Sequence, residues 1–205
     1  MLEIQALQLE RDGYLLDYEL EVAEGQILAI QGRSGVGKSS LLSAIAGFLT
    51  PLSGQIRWQG QSLLPLPPEQ RPVSLLFQEH NLFEHLSVLD NLSLGFSGAP
   101  PLAALRQAAQ ALEVDQQLHK NPGELSGGQR QRIALLRTLL RPEPLILLDE
   151  PFAELDPHTR ELTTRWTRET AKVSGKTLLL VTHQAEDVAR VADSCLQLRG
   201  PEGQA

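Results

Sequence analysis

Eight consecutive residues, Gly32-Arg33-Ser34-Gly35-Val36-Gly37-Lys38-Ser39, carry the spacing G-x-x-x-x-G-K-S. Glycines at those positions let the backbone curl until several N–H groups point inward, which suits phosphate oxygens. A helix starting at Lys38 adds the positive end of its dipole. Lys38 is long enough to reach β- and γ-phosphates, and the Ser39 hydroxyl suits Mg²⁺. The nucleotide-binding set runs on to Ser40. A second candidate is Leu145-Ile146-Leu147-Leu148-Asp149-Glu150, an apolar run ending in two acids. Neighbouring residues at a strand end point opposite ways. Asp149 therefore suits a metal shell, while Glu150 suits polarising an attacking water as general base. A third is Leu125-Ser126-Gly127-Gly128-Gln129. Ser126 can cap the helix that follows, and the glycines leave backbone N–H groups open.

The elements needed to hold these residues can be read from hydropathy. Residues 2–9 and 15–22 alternate apolar and polar positions, as half-buried strands do. The denser runs 26–31, 73–77, 145–148 and 178–181 predict strands buried on both faces, with 54–60 and 194–198 as further strands. Helical spacing predicts helices over 39–49, 101–118 and 129–140, and the proline-rich stretch 63–72 predicts a loop. Strands alternating with helices imply an α/β protein with a mostly parallel sheet covered on both faces. The expected organisation is one domain over residues 1–205, with a helical lobe at about 81–141 inserted in the core.

The full run Gly123-Glu124-Leu125-Ser126-Gly127-Gly128-Gln129-Arg130-Gln131-Arg132 closely resembles the ABC ATPase family, whose signature is LSGGQ. The resemblance spans essentially the whole chain. It implies a P-loop fold with an N-terminal antiparallel β lobe, ATP and Mg²⁺ as cofactors, and ATP hydrolysis coupled to transport. It also implies a second copy clasping ATP, so that Ser126, Gly127, Gly128 and Gln129, 88 positions beyond Lys38 at Ser126, complete the site in trans. Gln78 takes the place of the family's Mg²⁺-contacting glutamine. Asp156 resembles the aspartate that crosses the dimer interface, and His183 resembles the histidine that contacts the γ-phosphate. One departure is at the base. Where the family has an aromatic that stacks on adenine, this chain has Arg11, with Tyr14 three residues later; a guanidinium plane can also stack. Arg33 stands where proline is common.

Within the family, residues 71–83 are similar to the thiamine-import ATPases. The similarity implies integral-membrane permease subunits and, indirectly, a periplasmic binding protein as partners. Thiamine or a thiamine phosphate is then the expected solute, with iron, a polyamine or another small solute as the alternative. Phe83 and Leu86, apolar in the polar segment 79–86, are the expected permease contact.

Bulk properties narrow the classes. Hydrophobic residues make up 41% and charged residues 21% of the 205, ordinary for a globular chain. A net charge of −7 disfavours nucleic acid as the partner. No apolar run approaches the ~20 residues of a membrane span. Residues 1–10 lack a basic n-region, so the chain is expected at the cytoplasmic face of the inner membrane, held there by other chains. No accessory domain is expected after Leu198. The single cysteine, Cys195, is expected to be a buried small hydrophobe. A DNA-maintenance ATPase of the SMC kind would need a coiled coil where only 47 residues separate Gln78 from Ser126. A ribosome-binding factor would carry two ATPase domains, and a P-loop kinase leaves LSGGQ unexplained.

Overall fold

The computed structural model describes residues 1–11, 13–78, 82–96 and 98–198. Two sheets organise them. Strands β1 (Leu2–Arg11), β2 (Tyr14–Val22), β4 (Ser53–Trp58) and β5 (Gln61–Ser62) form an antiparallel sheet in the order β2-β1-β4-β5. Strands β3 (Ile27–Gln31), β6 (Val73–Leu76), β7 (Leu145–Asp149), β8 (Thr177–Val181) and β9 (Ser194–Gln197) form a parallel sheet in the order β6-β7-β8-β3-β9. Every adjacent pair in this second sheet runs parallel.

The apolar continuity of the central strands follows from burial on two sides. Leu145 and Leu147 face one core together with Leu179, the antiparallel sheet and helix α1 (Lys38–Ala46). Ile146 and Leu148 face the other, with Leu178, Leu180 and the inner side of helix α4 (Gly127–Leu140). At 0% exposure for each of these seven leucine and isoleucine side chains, burial supplies about 1.5–3 kcal/mol per residue. A third apolar cluster joins α2 (Val88–Ser93), α3 (Leu102–Ala111) and the outer side of α4 through Val88, Leu92, Leu105, Ile133 and Leu136. Helix α4 thus has one face in each cluster, which fixes the helical segment against the sheet.

Several boundaries differ from expectation for identifiable reasons. Helix α1 stops at Ala46 because Gly47 adopts a left-handed φ of 92°. Its last carbonyls are then taken by Arg71, which donates at 2.8 Å to both Ala44 and Ile45. The helix expected over 101–118 ends at Ala111. Glu113 turns to a φ of 55°, and the Val114 amide folds back onto the Ala109 carbonyl at 2.8 Å.

Two helices were not expected at all: α5 (Pro157–Val173) and α6 (Ala185–Val191). The buried side of α5 consists of Thr159, Thr163, Thr164, Thr167 and Ala171 rather than of large apolar residues. The Thr164 and Thr167 hydroxyls bond carbonyls one turn back, at 2.8 Å each, so they pack without an unmet polar group. Cys195 corrects an expectation outright, because it is exposed. It lies on β9, the edge strand, which has a single neighbour in β3.

Candidate functional site

Parallel strands deliver their C-terminal ends to one edge of a sheet, where a crevice forms. Here β3 runs into the glycine loop, β6 into Gln78, β7 into Asp149 and Glu150, and β8 into Thr182 and His183. A cleft of about 960 Å³ opens at that edge. Its walls include residues 33–40, Gln78, Asp149, Glu150 and His183, with Arg11 and Tyr14 from the β1–β2 hairpin.

The loop from Gly32 to Gly37 holds Lys38 at its centre. Lys38 Nζ donates to the Gly32 and Arg33 carbonyls, each at 3.0 Å, so the ammonium lies across the loop it closes. The side chain is 6% exposed. Burial pulls its pKa below the ordinary lysine value, against the opposing charges of Glu150 and Asp149. Gly37 is required twice over. Its φ of 98° suits only glycine, and a Cβ there would come within 2.2 Å of the Tyr18 hydroxyl. That hydroxyl donates to the Gly37 carbonyl at 2.9 Å and supports the loop from below. Sequence reading had assigned Tyr18 no role. The nearest signal was its place in a β2 strand that leads toward the loop.

At the end of β7, Asp149 is 8% exposed. Burial raises its carboxyl above the usual range, opposed by a hydrogen bond from Ser39 and by the charge of Lys38. Glu150 sits at φ 48°, a region that costs a non-glycine residue about 1–3 kcal/mol. Two contacts hold it there: its amide bonds the Val181 carbonyl at 3.0 Å, and Gln131 Nε2 donates to its carbonyl at 3.3 Å. Gln131, 2% exposed on α4, is a second residue that the sequence reading left without a role. A glutamine two positions before the apolar run 133–136 of the same helix is the signal that was available.

Glu150 Oε1 faces His183 Nε2 at 3.1 Å. Among the described residues this buried oxygen has no aligned hydrogen-bond donor. Burial raises the Glu150 carboxyl as well, with His183 opposing and Asp149 adding to the effect. A buried acceptor on a residue that lines this cleft fits a water between it and a bound nucleotide. Among the described residues no group of three or more His, Cys, Asp or Glu is arranged to hold a metal alone. The donors at hand, one hydroxyl (Ser39), one carboxylate (Asp149) and one amide oxygen (Gln78), match Mg²⁺, which takes few protein ligands and completes its shell with phosphate and water.

Arg11 and Tyr14 bracket the outer mouth of the cleft. Arg11 Nη1 donates to the Ser40 hydroxyl at 3.0 Å, which ties the hairpin to the first turn of α1. Tyr14 is 51% exposed.

The remaining expected residues are elsewhere. Ser126 caps α4, accepting from the Gln129 amide while Gln129 reaches back to the Ser126 amide at 3.0 Å. Asp156 caps α5, accepting at 3.1 Å from the His158 and Thr159 amides. These two helix starts adjoin each other: a Cβ on Gly127 would lie 2.3 Å from Glu154 Oε2. Neither Ser126–Gln129 nor Asp156 lines the cleft that holds Lys38 and Glu150. Phe83 is 48% exposed, while 79–81 of the expected contact segment lie outside the described residues.

Comparison with known proteins places this geometry in context. The ABC transporter family matches residues 15–153. A protein named "Thiamine import ATP-binding protein ThiQ" from Vibrio cholerae is 44% identical over 197 residues, covering 94% of this chain and 83% of the relative. The protein of that name from Escherichia coli K12 is 47% identical over 180 residues, covering 85% and 78%. Among solved structures, the ATP-binding cassette MJ0796 in a dimeric post-hydrolysis state with ADP and Pi superposes with a TM-score of 0.84 at 26% identity, covering 97% of this chain and 94% of that one.

Proposed function

The chain belongs to the ABC transporter family as an ATP-binding, ATP-hydrolysing cassette, and we propose that it powers import of thiamine or a thiamine phosphate through a membrane permease. Four strand ends converging on one cleft support the catalytic part of this reading: phosphate loop, paired acids, glutamine and histidine share a wall. In the proposed reaction the loop 32–37 and Lys38 bind the β- and γ-phosphates. Ser39, Asp149 and Gln78 would hold Mg²⁺, which when bound neutralises phosphate charge. Glu150 orients the attacking water and accepts its proton, and its burial favours the protonated product of that step. His183, opposite Glu150, reaches the γ-phosphate. Arg11 stacks on the base, and Ser40 adds to the phosphate side.

A second copy supplies the rest. The Ser126–Gln129 helix start is capped and open, yet lies outside its own chain's cleft. That arrangement suits an ATP sandwich in which Ser126, Gly127, Gly128, Gln129 and Asp156 of each copy meet the nucleotide of the other. The dimeric state named for the superposed cassette supports the same assembly. Among the described residues no helix is long and apolar enough to cross a membrane. We place the chain on the cytoplasmic face, bound to permease subunits, with a periplasmic binding protein delivering solute from the other side.

Solute identity rests on the two relatives named for thiamine import. The test is reconstitution with a candidate permease and binding protein, followed by ATPase assays with candidate solutes. Stimulation by thiamine is expected. Stimulation by iron or a polyamine, with none from thiamine, overturns the solute and leaves the ATPase standing.

A further inference from the structure

Behind the cleft lies a buried ion pair that none of the site residues above includes. Asp187 on α6 is 1% exposed. Its Oδ2 accepts from the Thr182 hydroxyl at 2.9 Å. Thr182 immediately precedes His183, and its Oγ1 also accepts from the Gln184 amide at 3.2 Å. The turn that carries His183 is therefore pinned on both sides by one hydroxyl, and that hydroxyl is oriented by Asp187. The other Asp187 oxygen, Oδ1, faces Arg160 Nε on α5 at 3.6 Å. Arg160 Nη2 in turn donates to the Phe152 carbonyl at 2.6 Å, two residues after Glu150. One chain of contacts thus runs from the backbone beside Glu150 to the residue before His183.

We infer that Arg160 and Asp187 form a positioning pair for ATP hydrolysis: together they set the separation of Glu150 and His183 without touching nucleotide. This rests on the proposed roles of those two residues. The geometry favours a device over simple filling. Arg160 Nε and Asp187 Oδ1 are out of solvent, and neither has an aligned hydrogen bond. A buried pair held at 3.6 Å is a poor source of net stability, because desolvation offsets its attraction. What it does fix is the distance between two loops, and catalysis is steep in such distances. The pair is also joined to Asp156, since the Arg160 amide bonds the Asp156 carbonyl at 2.8 Å across the first turn of α5. A shift of Asp156 when two copies close would reach Phe152 and Thr182 by the same route.

The test uses the full chain with Mg²⁺ and ATP, reading kcat, KM and nucleotide bound at saturation for the parent, Thr182→Val, Asp187→Asn, Arg160→Ala and Arg160→Lys. Thr182→Val and Asp187→Asn are expected to lower kcat per nucleotide-binding subunit about tenfold or more, with KM within about twofold. Arg160→Lys, which keeps the charge, should recover part of what Arg160→Ala loses. Combined Arg160→Ala and Asp187→Asn should be no worse than the worse single change, the mark of one unit. Should Asp187→Asn not fold, Thr182→Val decides alone, since it removes only a hydroxyl. Parent kcat in Thr182→Val, or a raised KM with kcat intact, overturns the pair. If Glu150→Gln turns over normally, the reading of the site fails instead. If Glu150→Gln is inactive while the pair variants run at parental rate, only this inference is lost.

Discussion

His183 Nε2 lies 3.1 Å from Glu150 Oε1, and the two residues end adjacent parallel strands. The register of β7 on β8 pairs Asp149 with Val181, so Glu150 follows directly on β7 while Thr182 stands between Val181 and His183 after β8. Glu150 faces the imidazole from a left-handed backbone at φ 48°. Strain of this kind persists where the surroundings over-determine it. Here the Val181 carbonyl and Gln131 do so from opposite directions.

The first prediction concerns that carboxylate. Glu150→Gln should cut steady-state ATP hydrolysis by roughly 10²-fold or more, because an amide cannot accept the water's proton. Nucleotide binding should persist, since the loop around Lys38 is unchanged. The variant is expected to accumulate as an ATP-bound dimer, visible by size-exclusion chromatography with ATP. Normal turnover would remove Glu150 as the base.

Lys38→Ala should have the opposite signature. The ammonium already lies within the loop, bonded to Gly32 and Arg33, where the proposed function places the phosphates. Losing one charged hydrogen-bond donor costs about 1.5–3 kcal/mol, or roughly 10- to 100-fold in Kd. Equilibrium titration with ATP checks this. An unchanged Kd would contradict the assignment.

Tyr18 gives a prediction in pH. Burial pushes its phenol up from 10.0 to about 12. The folded chain therefore keeps the phenolic proton under conditions where the unfolded chain loses it. The contribution to stability is complete below pH 10 and is lost as pH rises through that value toward 12. Tyr18→Phe should show a smaller loss of stability across this window than the parent. At neutral pH it should weaken ATP binding modestly, because the Gly37 carbonyl loses a bond of about 0.5–1.5 kcal/mol. Denaturant titrations at pH 8, 10 and 11 would reveal the crossover, and identical pH dependence would exclude it.

Which parts of this arrangement the sequence disclosed follows from physical cause. The strands 145–148 and 178–181 were plain because they are apolar on both faces, and the phosphate loop because its glycines answer backbone needs. Helix α5 escaped because threonines, among them Thr164 and Thr167 with internally bonded hydroxyls, fill its buried side, and composition reads them as polar. Gln131, Thr182, Arg160 and Asp187 escaped for a related reason. Each is an ordinary polar residue whose role depends on a partner 5 to 27 positions away, which no local pattern encodes.

The proposed stacking of Arg11 on the base supports a fourth prediction. Arg11 holds the place where an aromatic is usual, and Ser40 fixes its Nη1 at 3.0 Å. Stacking discriminates weakly between bases, since every base offers a π-face. Selectivity for ATP over GTP should stay below about 100-fold, or ~2.7 kcal/mol. Dissociation constants for both nucleotides decide the matter.

The last prediction concerns coupling to the permease. Phe83 exposes 48% of its surface, with Arg137 over its ring at 5.8 Å and His85 edge-on at 6.0 Å. Its backbone does not depend on its side chain. Asn91, fully buried on α2, accepts from the Phe83 amide at 2.8 Å and donates to the Phe83, Leu86 and Ser87 carbonyls. One side chain therefore shapes the whole turn from 83 to 87 and holds the phenyl ring outward. Phe83→Asp should leave the fold and the basal ATPase of the isolated chain within about 0.5 kcal/mol and about twofold of the parent, as exposed substitutions do. In the reconstituted transporter the same variant should abolish solute-stimulated ATPase and transport, because an apolar anchor becomes a charge facing the permease. Asn91→Ala should damage both, since it releases the turn by removing four hydrogen bonds to its backbone. Transport at the parental rate by Phe83→Asp would remove this surface from the coupling interface.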